Sequence, residues 1–193
     1  MTGSRDDWQR AAVVAEASSV TPRTTLALLG RYAEEFGATP AVDFLQSQLE
    51  CSPDCINRSA RGGHITASVL LSDGEERFVL THHRRFHSWQ QLGGHADGNY
   101  DLAAVAAREG LEESGLADFW IDPTPIDVDI HEAGCPPGKS TRHFDVCFQG
   151  TASKSIELVR SEESLDLKWV RLRDFDALGV SPRVARMAKA MVS

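Results

Sequence analysis

The feature that most constrains this chain is a change of hydrophobic period close to residue 61. Upstream the apolar residues recur at helical spacing. Thr21 and Pro22 open a segment carrying Leu26, Leu29, Ala33 and Phe36 and closing at Gly37. Pro40 starts a second, with Val42, Leu45 and Leu49 on one side. The stretch "CSPDCINRSARGG" then breaks the pattern with proline, asparagine and glycine. Beyond it, "HITASVLLS" and "RFVLTHH" read as strands joined by a turn at Asp73 and Gly74. Further strands are expected over Ile126 to His131, Phe144 to Phe148 and Leu167 to Val170. One helix lies among them, from about Asp101 to Ser114, with Asn99 as its expected cap. A C-terminal helix is capped by Ser181, has Pro182 in its first turn, and carries a stripe of Val184, Met187, Ala188 and Met191. The pattern predicts a mixed α+β core over residues 61–193, preceded by a helical extension over residues 1–60.

A length of 193 residues suits a single core with an extension. The formal net charge of −8 argues against a duplex nucleic-acid binder, which needs a basic face. It also means that an anionic substrate needs local help from metal ions or a few placed cations. The start "MTGSRDDWQR" lacks the order of a signal peptide, and no apolar run is long enough to span a membrane, so a soluble cytoplasmic protein is expected. Cys51, Cys55, Cys135 and Cys147 are then reduced thiols. A zinc site on Cys51 and Cys55 is disfavoured by their loose spacing and the lack of a second pair, and Cys147, in an apolar run, reads as a core residue.

The helix among the strands contains "REGLEESG". With Glu109 as the zero of a helical wheel, Glu113 lies about 40° to one side and Glu112 about 60° to the other. Leu102, Val105 and Ala106 share that stripe, one to two turns earlier. Acidic runs are usually solvated, and Arg108 can pair with Glu112 across one turn. That pairing does not explain Glu109 and Glu113, which repel each other at i, i+4. A divalent cation turns the repulsion into binding, and Mg²⁺ is the hard ion that takes carboxylates together with phosphate oxygens.

In register, the stretch resembles the Nudix box. Gly94 begins it, Arg108 and Glu109 follow at the family spacing, and Glu112, Glu113, Gly115 and Leu116 complete it. The strand ending in "WQQLGGH" and the later "SEESLDLKWVRLRDFDAL" are similar to the family's flanking segments, so the resemblance covers roughly residues 61 to 180. It implies a Nudix-type mixed β-sheet sandwiched by helices. Two positions depart from the pattern: Tyr100 stands where the first glutamate is expected, and Gly110 replaces an aliphatic residue. Glycine inside a helix costs about 1 kcal/mol relative to alanine.

The resemblance implies a hydrolase that cleaves the pyrophosphate of a nucleoside diphosphate linked to another group, with water as nucleophile and Mg²⁺ or Mn²⁺ as cofactor. It makes Glu109, Glu112 and Glu113 the metal ligands and Arg108 the residue that orients a box glutamate. In the family the general base is a box glutamate or an acidic residue on a distant loop, which makes Glu162 or Glu163 a candidate. Phosphate contacts are expected from Arg84, Arg85, Lys139 or Arg142 at strand ends, although surface solubility is the commoner role for any one of them. Histidines crowd the same region. His82, His83, His87 and His95 surround the box, and His131 and His143 lie on later strands, with Asp145 near the latter. A His/Asp metal site is one reading and hydrogen-bonded structural histidines the plainer one. His95, directly after the glycine turn, is the expected substrate contact. Two competing functions stand beside the hydrolase. One is a nucleotide or metabolite sensor without turnover, with Tyr100 and Gly110 as marks of decay. The other is an interaction protein whose first sixty residues hold a partner or a second copy in a homodimer.

Overall fold

A computed structural model describes residues 7–134 and 140–192. Cys135 and Lys139 lie outside the described residues. The chain runs β1 (Gln9–Arg10), α1 (Ala11–Val14), α2 (Pro22–Phe36), α3 (Pro40–Cys51), β2 (His64–Ser72), β3 (Arg77–His83), β4 (Ser88–Gln90) and β5 (Leu92–His95). It continues with α4 (Leu102–Ser114), β6 (Trp120–Ala133), β7 (Thr141–Thr151), β8 (Ser164–Arg171), α5 (Phe175–Leu178) and α6 (Pro182–Val192). The eight strands form one mixed sheet in the order β1-β6-β7-β2-β3-β4, with β5 paired to β2 and β8 to β3.

Strand β2 is the centre of the molecule. It runs parallel to β7 from His64↔His143 to Ser72↔Thr151 and antiparallel to β5, where Thr66 faces His95 and Ser68 faces Gly93. All nine of its residues are buried. Alternation sends its side chains to opposite faces. Ile65, Ala67, Val69 and Leu71 join the larger core, which also contains residues of α2, α3 and α4. Leu70 joins a second core with Phe78, Leu80, Cys147 and the α6 residues Val184, Met187 and Ala188. Between them, Thr66 and Ser68 stand on the Leu70 face and line a cavity. Helices therefore cover both faces of a mixed sheet, as expected. The expected turn at Asp73 and Gly74 joins β2 to β3, but the two strands pair only at Ser72↔Phe78 before β3 turns away to β8 and β4.

Three local expectations shift. On α2 the buried residues are Thr25, Leu28, Leu29 and Tyr32, while Phe36 is exposed, so the buried stripe is rotated from the one spaced at 26, 29, 33 and 36. The N-cap of α4 is Asp101, whose carboxylate accepts from Ala104 N at 3.1 Å. Asn99 instead uses its Oδ1 to accept from Asp101 N and Ser19 N, both at 2.9 Å. The first sixty residues are not helical throughout, because β1 pairs antiparallel with β6 through Gln9↔Ile121 and Arg10↔Trp120.

The out-of-pattern Tyr100 ties the N-terminal helices to the start of α4. Its hydroxyl donates to the Pro53 carbonyl at 2.7 Å, its N–H donates to the Ser19 carbonyl at 2.8 Å, and its own carbonyl accepts from Thr25 Oγ1 at 2.7 Å. Gly110 is equally specific. A Cβ there would stand 2.8 Å from Phe119 Cζ and 2.8 Å from Val69 Cγ1, so its missing side chain sets how closely α4 approaches β2. At the other end Gly115, with φ +67°, closes the helix in the left-handed conformation that glycine adopts freely.

Candidate active site

The glutamates of α4 meet the sheet at the two glycines of β5. Glu113 is 6% exposed, and its Oε2 accepts from Gly93 N–H at 2.9 Å. The Glu109 carboxylate lies against Gly94, where a Cβ would stand 2.5 Å from Glu109 Cδ. Arg108 Nη2 donates to Glu109 Oε1 at 3.0 Å, and its Nε lies 4.0 Å from Glu112 Oε1. Glu112 is the most exposed of the three, with 64% of its side chain in solvent against 19% for Glu109.

Burial governs the charges. It pushes the Glu113 carboxyl up to about 8, and the nearby Glu109, Glu163 and Glu112 add to the rise. Glu109 is also raised, by burial first and by Glu112 and Glu163 in addition, against the opposing pull of Arg108. Buried carboxylates that repel one another are stabilised by a cation, and oxygen donors of this kind suit a hard divalent ion. The residues therefore fit Mg²⁺ or Mn²⁺. Mg²⁺ in particular is usually held by one or two carboxylates plus substrate phosphates and waters, so no closed protein cage is required.

A cavity of about 540 Å³ opens beside these carboxylates. Glu109, Glu112 and Glu163 line it together with Arg85, Phe86 and His95. Its floor on the sheet includes Thr66, Ser68, His143 and Asp145. Of the expected phosphate contacts, Arg84 and Arg142 are not part of this lining, and of the three glutamates Glu113 lies behind it, against Gly93. Arg84 Nε donates to the Glu162 carbonyl at 2.9 Å and its N–H to the Glu163 carbonyl at 2.9 Å, so it braces the loop that presents Glu163. Arg142 Nε donates to the Gly62 carbonyl at 2.9 Å, and its guanidinium lies over the Phe44 and Phe144 rings. Arg108 faces Glu109 rather than the cavity.

Arg58 on the lining escaped the sequence reading, whereas Asp145 was expected near His143. Arg58, bound to Asp97 through its Nε at 2.8 Å, comes from the segment before the strands begin. Asp145 accepts from Thr66 Oγ1 at 2.9 Å, from Ser68 Oγ at 2.8 Å and from Arg183 Nη1 at 2.9 Å. Burial alone raises Asp145, but Arg183 and Ser68 outweigh it and hold the carboxyl below its usual range. Its carboxylate is thus committed to the sheet and to α6. The described cysteines behave as core or surface thiols. Burial pushes Cys55 up to about 11 and Cys147 up to about 12, and Cys51 is exposed.

A mixed sheet sandwiched by helices, with a glutamate-bearing helix docked on a double glycine, defines a hydrolase of the Nudix fold. The NUDIX domain family model matches residues 62–191, and the chain belongs to that family of pyrophosphohydrolases. Solved structures agree in fold. An Ap4A hydrolase of C. elegans, solved as a binary complex, is 20% identical with a TM-score of 0.54 over 65% of this chain and 92% of that one. The E. coli dihydroneopterin triphosphate pyrophosphohydrolase is 19% identical, with a TM-score of 0.53 over 66% and 94%. A NUDIX-family hydrolase from Clostridium perfringens is 22% identical, with a TM-score of 0.52 over 67% and 95%. No curated protein matches the chain. No described helix is long and apolar enough to cross a membrane.

Proposed function

We propose that the chain hydrolyses the pyrophosphate bond of a nucleoside diphosphate linked to another group, with water as nucleophile and Mg²⁺ or Mn²⁺ as the ion. The observation that carries this reading is the opening of one cavity onto Glu109, Glu112 and Glu163, with Arg58 and Arg85 also on its lining. Glu109, Glu112 and Glu113 would hold the divalent ion, which when bound neutralises diphosphate charge and lowers the pKa of a coordinated water. Arg108 fixes the direction of Glu109, and the Gly93 N–H fixes Glu113. Glu163 takes the proton from the attacking water as general base; Glu162, whose carbonyl is engaged by Arg84 and whose side chain is not on the cavity lining, is the poorer choice. Arg85, Arg58 and His95 contact phosphate oxygens, and the half-exposed ring of Phe86 offers a face for a base.

The sensor reading has lost its main support, since Tyr100 and Gly110 each have a packing role. The test is a panel of ADP-ribose, dinucleotide polyphosphates, nucleoside triphosphates and coenzymes with Mg²⁺ or Mn²⁺, followed by phosphate release. Turnover of at least one pyrophosphate, abolished by chelation, is the expected result. Saturable nucleotide binding without turnover across the whole panel would replace this reading with the sensor.

A further inference from the structure

A second cluster of potential ligands lies beside the carboxylates in the same region of the sheet. His64, His95 and His143 come from three adjacent strands, and the pairings His64↔His143 and Thr66↔His95 bring them together. One ligand nitrogen from each lies within 4.8 Å of the others, and among the described residues this is the one set of three potential metal ligands gathered so tightly. The rings are 4.8 Å, 5.0 Å and 5.5 Å apart by centroid. His64 is 1% exposed, and neither of its ring nitrogens meets a hydrogen-bond partner in the protein. The Nε2 of His143 is likewise buried without a partner. A buried imidazole normally gives at least one nitrogen a partner. Here, in place of such a partner, the His64 ring faces those of His95 and His143.

We propose that His64, His95 and His143 form a transition-metal site, distinct from the Mg²⁺ carboxylates, that takes Zn²⁺ or a similar imidazole-preferring divalent ion and leaves its fourth position open to the cavity. Imidazole nitrogen suits zinc, copper, iron and nickel, whereas Mg²⁺ prefers oxygen. Three protein ligands and one open position are the pattern of zinc sites that keep a place for water or substrate. Tetrahedral coordination with metal–nitrogen bonds of about 2.0–2.1 Å places the nitrogens about 3.4 Å apart, so side-chain rotation has to close about 1.4 Å at most. His95 and His143 both line the cavity, so the open position faces the space the substrate would fill. Asp145, which the sequence placed near His143, is not a ligand, since its oxygens are taken by Thr66, Ser68 and Arg183. Beside the cluster, the His131 ring lies 5.7 Å from that of His143, and its Nδ1 is 2.9 Å from Asp129 Oδ2.

The test uses the tag-free full chain, stripped with chelator and titrated with Co²⁺, whose visible absorption reports a four-coordinate nitrogen site. One equivalent should bind, give the band and be displaced by Zn²⁺. The band should persist when Glu109, Glu112 and Glu113 are all changed to Gln. It should weaken about 10²-fold or more in affinity in His64→Ala and His143→Ala. His95→Gln, at a partly exposed position, gives the same loss without disturbing the core and decides the matter where the other two variants fail to fold. No band in the wild-type chain, or a band lost with the glutamates and kept without the histidines, overturns the proposal.

Discussion

Gly94 and Glu109 occupy each other's space: a Cβ on residue 94 would stand 2.5 Å from both Cδ and Oε2 of the glutamate. The displaced atoms would be the far end of a side chain rather than core backbone. Gly94→Ala should therefore leave the melting temperature almost unmoved while turning the Glu109 carboxylate out of position. Misplacement on that scale lowers kcat by about 10²-fold. Steady-state kinetics beside a thermal melt would check both halves.

At Gly110 the same substitution should act on stability instead. Alanine improves helix propensity by about 1 kcal/mol, yet its methyl meets Phe119 Cζ and Val69 Cγ1 at 2.8 Å, and both side chains belong to packed core strands and loops. Overpacking costs about 1–3 kcal/mol, so the net change should be destabilising, with valine worse than alanine. Urea unfolding of the two variants gives the comparison.

Tyr100→Phe removes the hydroxyl that donates to the Pro53 carbonyl at 2.7 Å and nothing else. The expected loss is about 1 kcal/mol. Tyr100→Glu, which restores the residue of the family pattern, should be the more damaging change, because it sets a carboxylate in a position only 8% exposed. Chemical denaturation orders the three proteins.

In the absence of divalent ions, Glu113 should make stability fall with rising pH. Its folded pKa, pushed up to about 8 by burial, lies above the ordinary glutamate value of 4.5. The folded state then holds a proton that the unfolded state has released, so stability present below about 4.5 is lost progressively as pH rises through about 8. Divalent ion added at the alkaline end should restore it, and Glu113→Gln should remove the slope. Histidines oppose this at the acid end. His95 and His143 are lowered to about 4 and about 3 by burial, so their contribution is present above the ordinary histidine pKa of 6.5 and lost as pH falls below it. Melting temperatures of wild type and Glu113→Gln across this range separate the two limbs.

Much of the fold was legible because period and turn chemistry are local. β2 and β3 begin and end where the alternation does, and α3 buries the Val42, Leu45 and Leu49 stripe. What the sequence could not give was strand pairing. Nothing local says that β2 lies beside β7 rather than along β3, and that pairing is what gathers His64, His143 and Asp145 on one face. The glutamates were legible for the opposite reason, since one helix carries all three. Arg58 was not, because its place on the cavity depends on how the segment after α3 packs, and neither were the roles of Arg84 and Arg142. A cation at a strand end looks the same in sequence whether it points into a cavity or binds a nearby carbonyl. Tyr100 and Gly110 broke the motif for tertiary reasons, one to anchor the N-terminal helices and one to seat α4 on β2.

The most direct test of the account is Glu113→Gln assayed with Mg²⁺ on whichever pyrophosphate the wild type turns over. Glu113 is buried against Gly93 and is one of the three carboxylates assigned to the ion. Its loss should lower kcat by about 10²-fold or more while circular dichroism and melting report a folded protein. A folded Glu113→Gln protein with the wild-type rate would contradict the assignment of the α4 glutamates to catalysis.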